Sequence, residues 1–189
     1  MRAQAHTLEG VAAALVVVLA VTFTLQATAV TPLTASTASQ HIEVQHERAA
    51  AGLLATARAD GSLSRTLRYW NASRAAFRNA SDRGYYVGRP PETAFGDALR
   101  DVFGNRSVAY NVNAYYVDAD GDRHRRRVVF HGQPSSDAVS ATRFVTLYDR
   151  QRVTGAAGGP TLANANYFGP NSEGPVFGVV EVEVVVWRM

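Results

Sequence analysis

The chain has 189 residues, a formal net charge of +3 and no cysteine. Without cysteine it can form no disulfide, zinc-thiolate site or thiol nucleophile. All of its 19 basic side chains are arginines, most of them scattered, and so small a net charge gives no footprint for nucleic acid. An apolar share of 47% predicts one folded domain after the N-terminal segment.

The N-terminus is a short leader, residues 1–9, followed by an uncharged stretch. From Gly10 to Gln40 there is no Asp, Glu, Lys, Arg or His. Residues 10–30 are mainly apolar, and about 20 residues at about 1.5 Å rise each match a hydrocarbon core of about 30 Å. The pattern predicts a transmembrane helix over 10–30.

Two ordinary interpretations of this segment remain open. The motif Ala27-Thr28-Ala29 fits a signal peptide cleaved after Ala29, which would release a secreted domain. The same run also fits a plain single-pass anchor whose domain binds a ligand or partner at the cell surface. Glu9 stands at the edge of the apolar run, where a carboxylate is costly unless it has a partner.

A third interpretation starts from the segment Arg2-Ala3-Gln4-Ala5-His6-Thr7-Leu8-Glu9-Gly10 and the apolar helix after it. This segment resembles the class III signal peptide of archaeal type IV pilin-like proteins, most closely the small pilin-like membrane proteins of haloarchaea. The resemblance covers about the first 30 residues and the layout of a helix followed by a β-rich head.

The resemblance implies processing and assembly. A prepilin peptidase would cut between Ala3 and Gln4, or alternatively between Ala5 and His6. Glu9 would then pair with the amine of a neighbouring subunit as helices stack. The implied partners are membrane lipid, the prepilin peptidase and other pilin-like subunits. The implied location is the cell membrane, single-pass, with the C-terminal domain outside the cytoplasm.

Residues 31–60 are predicted to continue the helix as a stalk. Pro32 interrupts or ends the membrane helix because it lacks an N–H and clashes with the preceding turn. Asp60-Gly61 is typical of a helix C-terminus. A second helix is expected after Ser62 or Ser64, and a short third one from Pro91-Glu92 to Gly104. The second is predicted to place four side chains in the core: Leu63, Leu67, Trp70 and Phe77.

From Ser107 onward the hydrophobic period is two, which predicts strands. The expected strands are 108–117, 125–131, 142–148 and 176–187, and residues 155–174 are predicted to be a long surface loop. The sequence therefore predicts an α+β fold: a long N-terminal transmembrane helix packed on a small antiparallel sheet of about four strands with two short helices, arranged as in pilins. Residues 61–189 would be the extracytoplasmic head.

Few residues of this head indicate chemistry. Asp118, Asp120 and Asp122 could hold Ca²⁺, but the pattern favours a solvated hairpin turn, because the acidic residue that an EF-hand needs at loop position 12 is replaced by Val129. The run Arg123–Arg127 is predicted to be a solvated β-edge, and binding to an acidic lipid surface or polyanion is the alternative. Three Asn-x-Ser sequons predict glycosylation, at Asn71, Asn79 and Asn105.

No nucleophile elbow, phosphate-binding loop or dinucleotide motif is present, so we expect no enzyme, catalytic residue or cofactor. The expected function is structural: a membrane-anchored, pilin-like subunit of a type IV pilus-like surface or secretion assembly.

Overall fold

The computed structural model describes residues 2–104, 107–118, 120–169 and 174–189, without the side chains of residues 2–8 and 25–39. The chain divides into two compact units, Met1–Ile42 and Glu43–Met189. One helix, α1 (Arg2–Ala59), contributes to both units and is continuous through position 32.

In the first unit, the side chains of α1 from residue 11 to residue 24 are exposed, and all but Thr22 and Thr24 are apolar. Thr22 and Thr24 interrupt this apolar stretch, and their hydroxyls donate to the carbonyls of Val18 and Ala20 at 2.7 and 2.6 Å. Eight large apolar side chains are between 53% and 75% exposed: Val11, Leu15, Val16, Val17, Val18, Leu19, Val21 and Phe23.

The second unit contains the end of α1 and two further helices, α2 (Ser62–Leu67) and α3 (Ala94–Phe103). The α1–α2 turn depends on Gly61, whose φ of 75° favours glycine, and on the Asp60 carboxylate, which accepts from the Ser62 N–H at 2.7 Å. Thr93 caps α3 by accepting from the Gly96 N–H, and its hydroxyl also lies 2.7 Å from that of Thr66 in α2.

Within the described residues, seven strands form two sheets. A small hairpin pairs β1 (Trp70–Asn71) with β2 (Ala76–Phe77). The main sheet contains β3 (Tyr86–Val87), β4 (Val108–Val117), β5 (Arg123–Phe130), β6 (Val139–Tyr148) and β7 (Val176–Arg188). Its order is β3-β5-β4-β7-β6; β3 is parallel to β5, and every other pair is antiparallel.

The core lies between one face of this sheet and the helices. On β7, alternate valines at 180, 182, 184 and 186 are buried, as a half-covered antiparallel sheet requires. They belong to the same cluster as Leu54 of α1, Leu67 of α2 and Leu99 of α3. The residues of β7 between these valines lie on the opposite face, which we call the outer face.

The expected fold class is wrong in its arrangement, although the α+β content agrees. The sheet has five strands in mixed orientation, not about four antiparallel ones, and is not arranged as in pilins. The fifth strand was missed because β3 has only two residues, too few to show a period. In the part of the chain whose side chains are described, no helix is long and apolar enough to cross a membrane. The prediction of a transmembrane helix over 10–30 is therefore wrong. Thr22 and Thr24 break the apolar run on which that prediction depended.

The second helix is shorter than predicted. It ends at Leu67, and Trp70 and Phe77 reach the core from the β1–β2 hairpin instead. Their predicted burial is confirmed, as is that of Leu63 and Leu67. The spacing of these four residues resembled that of one helix because helix α2 and the β1–β2 hairpin direct their side chains to the same core.

The predicted surface loop 155–174 is partly packed. It contains a short 3-10 helix, Leu162–Asn164, and both Leu162 and Phe168 are buried. The Trp70 indole N–H donates to the Asn166 carbonyl at 2.7 Å. An aromatic cluster around Trp70 therefore fastens this segment to the hairpin.

Replacing Gly96 by alanine should destabilise the second unit by about 2 kcal/mol or more. A Cβ at Gly96 would lie 1.8 Å from the Pro91 carbonyl oxygen, which is backbone and cannot move aside alone. The matched control is Gly52→Ala in α1, where a Cβ meets nothing within 4 Å and helix propensity should leave stability unchanged or raise it by up to about 1 kcal/mol. Denaturant unfolding followed by tryptophan fluorescence measures both, since Trp70 and Trp187 lie in this unit. Equal midpoints for the two variants would contradict the close contact.

Candidate functional site

The outer face of the main sheet carries ordered polar and aromatic side chains. Register places Tyr115 of β4 beside Glu181 of β7, and Glu181 beside Phe144 of β6. One row along, Asn113 is paired with Glu183. Since side chains alternate between faces, all of these project away from the helices.

Hydrogen bonds fix the polar part of this face. The Glu183 carboxylate accepts from the Asn113 amide at 3.0 Å and from the Tyr115 hydroxyl at 2.9 Å. Arg123 donates to Glu181 at 2.7 Å, and its guanidinium stacks 4.4 Å from the Tyr115 ring centre. Burial, followed by the Glu183 carboxylate, raises the pKa of Tyr115. These side chains are therefore held in place before any ligand binds.

Beside this network lies a depression with a volume of about 420 Å³. Its apolar lining includes Val117, Phe144 and Val179, which are 48%, 59% and 47% exposed. Arg123 and Glu181 form its polar side. An exposed apolar patch with a polar rim is typical of a protein contact surface.

A second hollow, which we call the arginine cleft, lies at the other end of the outer face. Its volume is about 410 Å³, and it is lined by Arg83, Gly84, Tyr85 and the run Arg125–Arg127. Hydrogen bonds from Arg83 and Arg127 lower the pKa of the Tyr85 phenol, Arg83 having the larger effect. The Arg127 guanidinium also lies 4.6 Å from the Phe130 ring centre.

The three consecutive arginines do not act as one patch. Strand β3 pairs with β5 only at Val129 and Phe130, so Arg125–Arg127 lie on a part of β5 that pairs with β4 alone, as the predicted β-edge requires. Arg125 and Arg127 share the outer face, whereas Arg126 lies on the core side, 4.6 Å from the Trp70 ring centre, and donates to the Ala75 carbonyl at 2.7 Å. Burial lowers the pKa of Arg126.

The predicted calcium residues form a tight turn. The Asp118 carboxylate accepts from the backbone N–H groups of Asp120 and Asp122 at 3.0 and 2.9 Å and pairs with His124. His124, followed by the Asp122 N–H, lowers the pKa of Asp118. Nowhere in the described part of the chain do three or more acidic or histidine side chains converge to hold a metal. Calcium binding at Asp118, Asp120 and Asp122 stays a prediction.

Two of the predicted glycosylation sites are described: Asn71 ends strand β1 and Asn79 lies in a turn, so neither is in a helix. The Asn71 side-chain oxygen accepts from the N–H groups of Ser73 and Arg74, and the Asn79 amide donates to Tyr69 and Glu92. Asn105 lies outside the described residues. Modification of Asn71, Asn79 and Asn105 stays a prediction.

The N-terminal residues are described only in part. Ala3 and Gln4 lie in α1, but their side chains are outside the described residues, and processing there stays a prediction. Glu9 is exposed at the start of the apolar stretch. Its assembly role likewise stays a prediction.

Sequence reasoning missed the arginine cleft as a site. One signal was available, because arginines at 123, 125 and 127 must share a face of any strand. The contribution of Arg83 and Tyr85 had no local signal, since they reach the cleft through the pairing of the two-residue strand β3 with β5.

The fold and its surfaces define a class: an α+β protein with a five-stranded mixed sheet, helices on one face, and an exposed apolar N-terminal helical stretch. The sequence profile of a family of unknown function, DUF7288, matches residues 2–186, and the chain belongs to this family. Comparison with curated proteins found no match. Comparison with solved structures found none either.

The arginine cleft should lower the ionisation pH of Tyr85. We expect the absorbance change assigned to Tyr85, obtained by subtracting the titration of Tyr85→Phe from that of the wild type, to have its midpoint below pH 10. Arg83→Gln should move that midpoint upward because it removes the main stabilising donor. Arg150→Gln, at an exposed site outside the cleft, is the control and should leave it in place. A midpoint at or above 10 in the wild type would contradict the described hydrogen bonds.

Proposed function

We propose that this protein is a membrane-associated structural subunit that assembles through its N-terminal helix and displays the second unit as an exposed head. The observation that carries the proposal is the exposed apolar stretch of α1 from Val11 to Phe23. In this proposal the relation to type IV pilin-like proteins lies in the leader and the mode of assembly; the head has its own fold.

The exposed stretch is apolar around the whole helix. Residues 15–19 are five consecutive exposed Leu and Val side chains, and at about 100° per residue they cover every side of the axis. A helix that is apolar all round is buried in a large core or in lipid. A single flat partner would cover only one side, so lipid and neighbouring helices together fit this surface better.

The free energy gained by burying the exposed apolar side chains of α1 is large enough to drive association. Burying a Val, Leu or Phe side chain is worth about 1.5–3 kcal/mol, so eight partly exposed ones sum to the order of 10 kcal/mol. That exceeds the stability of many whole domains and makes the isolated, water-exposed helix an unfavourable state.

The leader supports the choice of a pilin-like assembly over a simple anchor. Cleavage between Ala3 and Gln4 by a prepilin peptidase would leave the apolar stretch attached and place a new amine near Glu9. A neighbouring amine beside that carboxylate would offset the cost of placing it near lipid.

A second candidate is a surface protein whose head binds a partner without assembling. The apolar depression around Phe144 favours it, because such patches mark contact surfaces. A secreted domain released after Ala29 is the third possibility, and the three make different predictions about fractionation and the N-terminus.

Membrane association should depend on the apolar stretch and not on other exposed apolar residues. We expect Leu19→Asp to move most of the protein out of the membrane fraction, since a buried carboxylate costs several kcal/mol. Phe144→Asp makes the same chemical change at a similarly exposed site on the head and should leave the distribution unchanged. Wild-type protein found soluble and monomeric, without its first 29 residues, would overturn the proposal and favour secretion.

Assembly should depend on processing and on Glu9. Mass spectrometry of the membrane-extracted protein is expected to show a mature chain beginning at Gln4, and crosslinking should show multimers that Glu9→Ala diminishes by tenfold or more. Glu47→Ala, in the second-unit part of α1, is the control and should leave the multimers intact. An intact Met1 or Arg2 start, with crosslinking unaffected by Glu9→Ala, would favour the non-assembling surface protein.

A further inference from the structure

We propose that the arginine cleft binds a phosphate or sulfate group, held by Arg83, Arg125 and Arg127 with Tyr85 beside them. This inference concerns only the second unit and does not depend on the proposed role of the N-terminal helix. The ligand is defined by its tetrahedral oxyanion, which a small phosphoryl compound or a lipid headgroup could supply.

The three cations converge from different parts of the chain. Arg125 and Arg127 occupy alternate positions of β5 on the outer face, opposite Tyr115 and Asn113 of β4. Arg83 approaches from the turn before β3, and the parallel pairing of Tyr86 with Val129 holds that turn beside β5. The result is a hollow of about 410 Å³ with guanidinium groups on two sides.

The arginines of the cleft are not paired with a carboxylate. Across the described ranges, none of the three forms an ion pair with Asp or Glu. Four other arginines of the second unit do: Arg74 with Asp82, Arg89 with Glu92, Arg100 with Asp97, and Arg123 with Glu181. Glu183 lines a neighbouring hollow with Arg125 and Arg127, but its carboxylate accepts hydrogen bonds from Asn113 and Tyr115. Among the described residues, no carboxylate therefore forms an ion pair with the arginines of the cleft.

The cleft is also organised before binding. The Arg127 guanidinium lies 4.6 Å from the Phe130 ring centre and 5.8 Å from the Tyr85 ring centre. Holding this guanidinium between two rings lowers the rotamer entropy lost when it binds a ligand. Stacked arginines keep their N–H edges available for bidentate contacts.

Charge and geometry favour a tetrahedral dianion. A single carboxylate would neutralise the charge of one of the three arginines. A phosphate monoester or a pyrophosphate carries more charge and presents several oxygens that planar guanidinium groups can bind in pairs. Arg126 contributes no guanidinium to the cleft, because it is turned to the core side and bonded to Ala75. The cleft holds one compact anionic group rather than the spaced phosphates of a duplex.

Calorimetric titration of the full chain in neutral detergent with pyrophosphate and with sulfate tests this inference. We expect saturable binding of at least one anion, which Arg127→Gln weakens at least tenfold and Arg83→Gln at least fivefold. Arg150→Gln changes the net charge equally at an exposed site outside the cleft and should retain wild-type affinity. Arg83 lies on an exposed turn, so Arg83→Gln keeps the test valid if Arg127→Gln fails to fold.

A parallel titration with detergent micelles that contain either phosphatidic acid or phosphatidylcholine separates the sources of the anion. Arginine-dependent binding of pyrophosphate or sulfate with no preference for phosphatidic acid supports a soluble ligand. Arginine-dependent binding of phosphatidic acid alone supports a lipid headgroup. Absence of binding in every titration, or equal weakening by Arg150→Gln, would overturn the inference. Either result leaves the N-terminal assembly proposal untouched, because that proposal is measured by fractionation and crosslinking.

Discussion

The pairing of β7 with β4 on one side and β6 on the other fixes both faces of the main sheet. Alternate valines of β7 enter the core, and this forces Glu181 and Glu183 to the outer face. A shift of one residue would bury the two carboxylates and expose the valines, at a cost of many kcal/mol, so the register is strongly determined. The positions of Tyr115, Asn113 and Phe144 on the outer face follow from it.

The same alternation gives the arginines of β5 two different roles. The Arg126 side chain lies on the core side, where it stacks on Trp70 and donates a hydrogen bond to the Ala75 carbonyl. The side chains of Arg125 and Arg127 lie on the outer face. A run of three basic residues thus contributes both to the aromatic cluster that holds segment 155–174 and to the arginine cleft, and only two of its charges face solvent together.

The first unit presents a different physical situation. From residue 11 to residue 24 its side chains are exposed and, apart from Thr22 and Thr24, apolar. The core of the second unit includes Ala50, Leu53, Leu54 and Ala57 of α1. The two parts of α1 therefore differ: one supplies side chains to a core, and the other exposes its apolar side chains.

The sequence by itself determined the long strands, the burial of Leu63, Leu67, Trp70 and Phe77, and the uncharged N-terminal stretch, because each depends on periodicity or composition within a short window. It also placed Arg123, Arg125 and Arg127 on one strand face. Only the tertiary structure decided the fifth strand, the parallel β3–β5 pair, the hairpin position of Trp70 and Phe77, and the meeting of Arg83 and Tyr85 with β5. The hairpin is a local pairing that contacts with Phe168 hold in the core. The other features arise from contacts between residues about 40 or more positions apart, and no local pattern carries the free energy of such contacts.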